Sequence, residues 1–539
     1  MRRLRDLIWI CIGIGIVFCI YTLMYAPSHL NLTDAVFHAN RAYQMIDCID
    51  NDMPLWFYNN AMRNLGYGNS FFYGWLTLFP FLPVLKYIGL YEYIDLYRLV
   101  SYIVCFTGIC MFVKRFIRSN YLVVSCIIVS QPLFYGYMFV ASTHPSVFGA
   151  GLCLIFFAYC IDFFRDNKSF VPACIVYFLI FNTHMLSTIF GFVGCAFICI
   201  SYFNKKKLLR YICFAVSCAV ICFWNIAQVL YYFDCFSSNG SRISRGLIHK
   251  DLEIFNGYCF TLFSCLGLVG VVFGGACPVS SFACTISMVW GSIRNKKSIR
   301  ELFYLCLICI LFIVSYESIF MFLNEILDYK TVIQFPSRIF IYLLVLLSVI
   351  GFRRFSYNNL VVLLIYNLLC LGVILSIEGT YYADNDASLQ VYDFHGKSFI
   401  APAGDYSPDL FNEVGNGEYF PSKWQYDTDY SEDIGVVGDD GTVYDGKYND
   451  RVCIYSADLT HNTSKTVEVN RMWYNGYVSN AGECSQSDNG FVQVDVNGYI
   501  GSLAVWYEYP FVLRLAFLVS WSFLGLVLIG VVYGKMFKI

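Results

Sequence analysis

The sequence predicts an α-helical polytopic membrane protein with a β-rich, sandwich-like domain outside the cytoplasm near its C-terminal end. Three observations predict it. Of 539 residues, 58% are hydrophobic and 14% charged, whereas a soluble globular protein carries about 25% charged residues. The chain therefore lacks the polar surface that water requires. Its apolar residues recur in runs of about 20, the length that crosses a hydrocarbon core about 30 Å thick as a helix. Lys and Arg concentrate in short segments between those runs, as they do on the cytoplasmic side of membrane proteins. The net charge of −2 gives no reason to expect a nucleic-acid partner.

The elements follow in chain order. Arg2, Arg3 and Arg5 precede an apolar segment from Leu7 to about Tyr25. No small-residue cleavage pattern follows, so an uncleaved signal-anchor with a cytoplasmic N-terminus is expected. Residues 26–97 form the first extracytoplasmic loop. The apolar stretch 71–90 contains Pro80, Pro83 and Lys86 and is expected to lie at the interface or re-enter. A full crossing there would invert every basic loop that follows. Further spans are expected at 98–113, 121–141, 147–164, 170–184, 187–203, 211–232, 255–277, 302–322, 339–352, 359–377 and 511–533, about twelve in all. This arrangement puts the basic clusters 2–5, 114–118, 165–168, 205–210, 294–300, 353–354 and 535–538 inside.

Residues 1–377 thus read as a transmembrane domain, 378–508 as an extracytoplasmic β-rich domain, and 509–539 as a final transmembrane helix. The middle segment is rich in Asp, Asn, Gly and Tyr. It contains alternating runs such as Thr466-Val467-Glu468-Val469 and Phe491-Val492-Gln493-Val494-Asp495-Val496, with Asn489-Gly490 and Asn497-Gly498 as turn signals. Most of the 24 cysteines sit in apolar runs, where a thiol behaves as a small hydrophobe. Cys453 and Cys484 lie in the polar domain, where a disulfide between them is allowed; spacing alone does not decide it.

The unusual polar residues fall on one side of this topology. Asp34, His38 and Arg41 stand at i, i+4 and i+7, one face of a helix. Tyr67 lies in the first loop, His144 in the turn Ser142-Thr143-His144-Pro145, and His184 in the turn Asn182-Thr183-His184-Met185. Gln334-Phe335-Pro336-Ser337-Arg338 opens a span from the same side. That is the pattern of one site built between helices at a membrane surface. Each residue also has an ordinary explanation. Asp34 can cap a helix, His38 can pack, and Arg41 can pair with an acid or a lipid phosphate. His144 and His184 can cap helix ends, and Arg338 can snorkel to headgroups. The aromatics Phe71, Phe72, Tyr73 and Trp75 fit an interfacial belt. A carboxylate such as Asp34 can serve as general base or hold a divalent cation near a phosphate. Arginine can grip a phosphate with two parallel hydrogen bonds.

Thr33-Asp34-Ala35-Val36-Phe37-His38-Ala39-Asn40-Arg41 resembles the D-x-x-F-H-x-x-R start of the YfhO-like bacterial membrane proteins, a family that includes proteins labelled 6-pyruvoyl-tetrahydropterin-synthase-related. Asn64-Leu65-Gly66-Tyr67-Gly68, Phe71-Phe72-Tyr73 and Pro80 are similar to that family's N-G-Y-G … L-F-Y … P loop. Residues 334–338 resemble its Q-F-P-W-R, with serine at 337 in place of tryptophan. Trp473-Tyr474-Asn475-Gly476-Tyr477, Asn489-Gly490 and Trp506-Tyr507 resemble its pattern before the last span. The resemblance runs through most of the chain in order. It implies a GT-C glycosyltransferase fold, a polyprenyl-phosphate sugar as donor, and an envelope polymer or glycolipid as acceptor. It casts Asp34 as catalytic base or metal ligand, with His38 beside it. By the same resemblance His38 and Arg41 orient acceptor or phosphate and Arg338 contacts the donor phosphate, while Tyr67, His144, His184 and Gln334 are expected substrate contacts because the topology puts them on the same side. The competing readings are a lipid or polysaccharide transporter or flippase, and a non-catalytic envelope scaffold. Mid-span charges are few and no inverted repeat is visible, features that a transporter would be expected to show.

Overall fold

The computed structural model describes residues 2–23, 33–53, 55, 57, 74–131, 134, 145–232, 235, 340–353, 355–369, 389–394, 397–402, 435–449 and 452–536. Helix α1 is Arg2–Leu23 and α2 is Thr33–Asp50. A 3-10 turn at Phe79–Phe81 leads into the six-residue α3, Leu82–Tyr87. Each begins with a proline in its first turn, where the missing N–H does no harm. Six helical residues rise only about 9 Å, so the described part of 71–90 does not cross a bilayer as a helix. Helix α4, Leu90–Val113, starts earlier than the expected 98.

The remaining helices are α5 (Tyr121–Val129), α6 (Pro145–Asp166), α7 (Phe170–Phe181), α8 (Met185–Ser201), α9 (Leu208–Ile221) and α10 (Phe223–Tyr232). After these come α11 (Phe340–Phe352), α12 (Tyr357–Leu369) and α13 (Phe511–Met536). Three helical stretches are long and apolar enough to cross a membrane: Glu92–Val113, Pro145–Asp166 and Phe511–Gly530. Helices α9 and α10 make a fourth if taken together. Among the described residues the expected twelve are thus represented by three or four. Helices α7, α8 and α12 are apolar but shorter, and the expected spans at 255–277 and 302–322 lie outside the described residues. Phe511, Leu515, Leu518, Leu526 and Ile529 along α13 are each at least half exposed. An apolar face of that extent is at home in lipid rather than in water.

Helices α4 and α6 run parallel. Tyr97 stacks on Phe148 at one end, with ring centroids 5.8 Å apart. Arg115 donates from Nε to Asp162 Oδ1 at 3.2 Å at the other. Between them the backbones touch: a Cβ on Gly151 would lie 2.6 Å from the Cys105 nitrogen, and one on Gly108 would lie 2.4 Å from the Gly151 oxygen. Small residues permit this approach, which tightens helix packing where water supplies no hydrophobic drive. Arg210 donates to the Asn167 carbonyl at 2.8 Å. The basic clusters 114–118, 165–168 and 205–210 therefore gather at one end of the bundle.

The single expected span 211–232 is instead two helices bent by 59°. Neither Pro nor Gly lies at the break, so the cause must be an inserted group. That group is the hydroxyl of Ser520 on α13. It accepts the Trp224 N–H at 2.8 Å and donates to the Val220 carbonyl at 3.2 Å. These are the two ends of one helical i→i−4 bond, opened and bridged by a neighbouring helix. Ser520→Ala is expected to cost about 1–2 kcal/mol in a detergent-unfolding titration, the range for hydrogen bonds between membrane helices. Ser520→Thr, which keeps the hydroxyl, should recover most of it.

The C-terminal region is built of β-strands. Strands β1 (Leu389–Phe394) and β2 (Lys397–Pro402) form an antiparallel pair. The next nine are β3 (Val436–Gly438), β4 (Val443–Tyr444), β5 (Gly446–Asn449), β6 (Ile454–Asp458), β7 (Thr466–Met472), β8 (Tyr477–Ser479), β9 (Cys484–Gln486), β10 (Phe491–Asp495) and β11 (Ser502–Tyr507). They make a five-stranded sheet, β4-β3-β7-β10-β9, and a four-stranded sheet, β5-β6-β11-β8. Alternate residues Val467 and Val469 on β7 and Val492 and Val494 on β10 are fully buried. They share one core with Leu503 and Val505 of the other sheet. The turn at Asn489-Gly490 closes the β9–β10 hairpin. Asn497-Gly498 instead carries the chain from β10 to β11 in the second sheet, so it is a crossing and not a hairpin.

Cys453 and Cys484 are not bridged; both are thiols, one in the turn before β6 and one on β9, in different sheets. Burial pushes the Cys484 thiol up to about 11, which keeps it protonated and unreactive at neutral pH.

The β-domain is docked and not merely tethered. Its core is continuous with that of α2, α3 and the first part of α4. Phe57, fully buried, stacks on Tyr507 with centroids 4.0 Å apart and meets the edges of Tyr474 and Tyr477 at 5.5 and 6.2 Å. The Tyr232 hydroxyl of α10 bonds that of Tyr507, and Trp224 Nε1 donates to the Tyr509 hydroxyl at 2.7 Å.

Candidate functional site

Helix α2 buries His38, Arg41, Ala42, Met45 and Cys48, a stripe at three- and four-residue spacing that faces the protein. An arginine in such a stripe is unusual, and Arg41 is 1% exposed. Its Nη1 donates to His38 Nδ1 at 3.1 Å and its Nη2 to the Gly74 carbonyl at 3.0 Å. A guanidinium can only donate, so Nδ1 must be the bare nitrogen of His38, and a proton on it would break the contact. His38 therefore sits in this node as a neutral imidazole. Asp34 lies one turn earlier on α2; its side chain is outside the described part.

Gly74 carries the node to the next element. A Cβ there would sit 2.0 Å from the backbone carbon of Asn182, so only glycine lets the loop lie against the turn between α7 and α8. Asn182 and Asn225 exchange amide hydrogen bonds at 3.0 and 3.3 Å, both side chains being buried. Asn225 is held there by the Ser520 bend one residue before it. Two residues after Asn182, His184 caps α8, its Nδ1 accepting the Ser187 N–H at 3.3 Å and lying 2.9 Å from the Ser187 hydroxyl. The capping role is the ordinary one for this histidine. It also places His184 against Gly149 of α6, whose added Cβ would lie 2.9 Å from the His184 Cβ.

Of the residues chosen from sequence, the structure joins His38 and Arg41 directly and brings the turn of His184 to them through Gly74 and Asn182. Tyr67, His144, Gln334 and Arg338 lie outside the described residues. Among the described residues no group of three or more His, Cys, Asp or Glu gathers to hold a metal ion. Sequence reading missed Gly74, Asn182 and Asn225. The asparagines were legible only as polar residues interrupting apolar runs, and Gly74 as one glycine in a loop.

Aromatic rings wall this neighbourhood. Trp75, next to Gly74, meets Trp224 edge to face at 6.2 Å. Tyr97 meets Phe81 edge to face at 5.2 Å. One turn of α4 holds the ion pair Asp95–Arg98 at 3.8 Å, with the Arg98 side chain 3% exposed. The site is thus a buried cationic node set among aromatic faces at the opposite end of α4 and α6 from the basic clusters. No protein-family model, no curated protein and no solved structure matches the chain.

Proposed function

We propose that the protein is a membrane-embedded glycosyltransferase. It moves a sugar from a polyprenyl-phosphate carrier to an acceptor hydroxyl of an envelope polymer or glycolipid on the extracytoplasmic side. The observation that supports this best is the Arg41 node: a buried guanidinium, oriented by His38 and the Gly74 carbonyl, beside a turn of the helical bundle and beneath a docked β-domain. In this reading the chain has about twelve spans in a GT-C-like arrangement. Its N-terminus and basic loops are cytoplasmic, and the β-domain sits over the site. The acceptor oxygen forms a bond to the anomeric carbon, the bond from that carbon to the phosphate oxygen breaks, and the acceptor proton passes to the carboxylate of Asp34. Arg41 holds the charge of the departing phosphate.

Asp34→Asn tests the reading. Mass spectrometry of envelope glycans from cells that depend on the variant should show the product glycan gone at an unchanged protein level. Full retention would sink the transferase assignment. The bent α9–α10 pair favours a second reading, a flippase, since broken helices often line transport paths. A flippase leaves the sugar on its carrier, whereas a transferase releases free polyprenyl phosphate, so assay of the lipid products separates the two.

A further inference from the structure

We infer that the lysines Lys168, Lys205, Lys206 and Lys207, with the apolar side chains beside them, form a docking surface for phospholipids whose headgroups are negatively charged. Between residues 160 and 222 the chain has six basic residues and two carboxylates, Asp162 and Asp166. Both carboxylates are already engaged. Asp162 accepts from Arg115 Nε at 3.2 Å, and Asp166 accepts from Arg165 Nε at 3.1 Å. Their ion pairs go to Arg115 and Arg165, which leaves the four lysines without a carboxylate partner among the described residues. A patch of uncompensated positive charge draws anions to it.

The fold brings these residues to one edge of the bundle. Lys168 stands in the turn between α6 and α7. On either side of it, Asn167 and Ser169 adopt left-handed φ of 59° and 64° without being glycine. Such a turn is costly, and three hydrogen bonds hold it. The Asn167 N–H donates to the Phe163 carbonyl at 3.0 Å, the Lys168 N–H to that of Asp162 at 3.1 Å, and Arg210 of α9 to that of Asn167 at 2.8 Å. The last bond sets the start of α9 against the turn, and the Arg210 guanidinium lies over the Phe163 ring at 5.1 Å. Lys205–Lys207 form a 3-10 turn that leads directly into α9. Asn204 fixes that turn, its side-chain oxygen accepting the Lys206 N–H at 3.0 Å. Arg210 thus serves the local geometry, and the lysines are left for a ligand.

The neighbours of the lysines select the ligand. Phe203 before the 3-10 turn and Leu209 after it are 52% and 74% exposed. Leu209, Ile212 and Val216 continue along α9 as an exposed apolar stripe at three- and four-residue spacing. A small soluble anion or a nucleic acid would satisfy the lysines and leave that stripe uncovered. An anionic phospholipid answers both halves. Its acyl chains cover the stripe, and its phosphate meets ammonium groups carried within about one turn of it. The surface lies at the basic end of the bundle, away from the Arg41 node, so it stands independently of the transferase reading.

The test is titration of the detergent-purified full chain with phosphatidylglycerol and, separately, with phosphatidylcholine, the bound lipids being counted by native mass spectrometry. The parent is expected to hold phosphatidylglycerol about tenfold more tightly than phosphatidylcholine. Lys205→Gln/Lys206→Gln should lose about fivefold in phosphatidylglycerol affinity for each charge removed, the size of one basic residue at an anionic surface. Its affinity for phosphatidylcholine should not change. Lys205→Arg/Lys206→Arg keeps the charge and should bind like the parent, and a loss there as large as in the neutral variant would overturn the role of charge. Arg3→Gln/Arg5→Gln removes the same charge from α1, which packs on α4 and α5, and should have little effect. Equal affinity of the parent for the two lipids would overturn the inference. So would parent-like phosphatidylglycerol binding by Lys205→Gln/Lys206→Gln, or an equal loss in the α1 variant. Glycerol 3-phosphate, a headgroup without chains, should fail to displace the lipid at millimolar concentration. Full displacement would show that the apolar stripe takes no part and would overturn the lipid assignment.

Discussion

Arg41→Ala is expected to abolish function and to lower stability by about 2–5 kcal/mol. The magnitude follows from what the change strands. His38 Nδ1 and the Gly74 carbonyl each lose the donor that satisfies them, and both sit where water does not readily replace it. Each bare acceptor costs about 1–3 kcal/mol. Arg41→Lys should retain the charge but not the fork, since an ammonium on a flexible stem cannot reproduce two fixed N–H directions. Its stability should therefore lie between the other two proteins, with activity still far below the parent. Unfolding titration and product analysis on the three proteins check both parts. If Arg41→Ala melts like the parent, the node does not hold α2 against the 182–184 turn.

Phe57→Ala should cost about 3–5 kcal/mol, the usual range for truncating a buried phenyl ring in a packed core. Its consequence should be local. The ring fills a space between Tyr474, Tyr477 and Tyr507, and the Cys48 thiol approaches its carbonyl at 3.9 Å. Losing it unfastens the first loop from the β-domain while leaving each sheet's own ladder intact. Hydrogen exchange should rise in 474–477, 505–509 and the end of α2, with little change in β7 and β10, whose valines pack against one another. Uniform acceleration through the domain would mean that Phe57 belongs to the core of the sheets and not to a seam. Phe57→Leu, filling part of the volume, should show a smaller version of the same pattern.

The parts of the fold legible in sequence are those whose cause is local. Apolar runs bounded by charge marked α6 and α13 closely, and strict alternation marked β7 and β10. The φ of 87° at Gly490 and 75° at Gly498 is what the two Asn-Gly signals require. What the chain does between the turns was less legible, because pairing partners are chosen by packing: Asn497-Gly498 looks like a hairpin and joins two sheets. The expected span begins at 98, whereas α4 starts at Leu90 and carries the Asp95–Arg98 ion pair within it. The run 211–232 reads as one helix because nothing within it breaks a helix. The site was half legible. His38 and Arg41 stood out as polar residues at helical spacing, but Gly74 and Asn225 are ordinary residues whose interest comes only from what packing brings against them.

The Ser520 bridge also bears on how the protein is made. Its hydroxyl and the Trp224 N–H it accepts are 296 residues apart in the chain. At about 5–20 residues per second, roughly 15–60 s of synthesis separate the two groups. Throughout that interval α9 and α10 are in place without the hydroxyl that holds them bent. They are free to close their own backbone bond and lie straight, with Asn225 turned from Asn182. The nascent protein thus passes through a state in which the bundle exists but its polar centre is not assembled. Arrival of α13 ends that state, so ribosome-bound chains halted before residue 520 should carry α10 in the wrong direction and present no finished site to substrate.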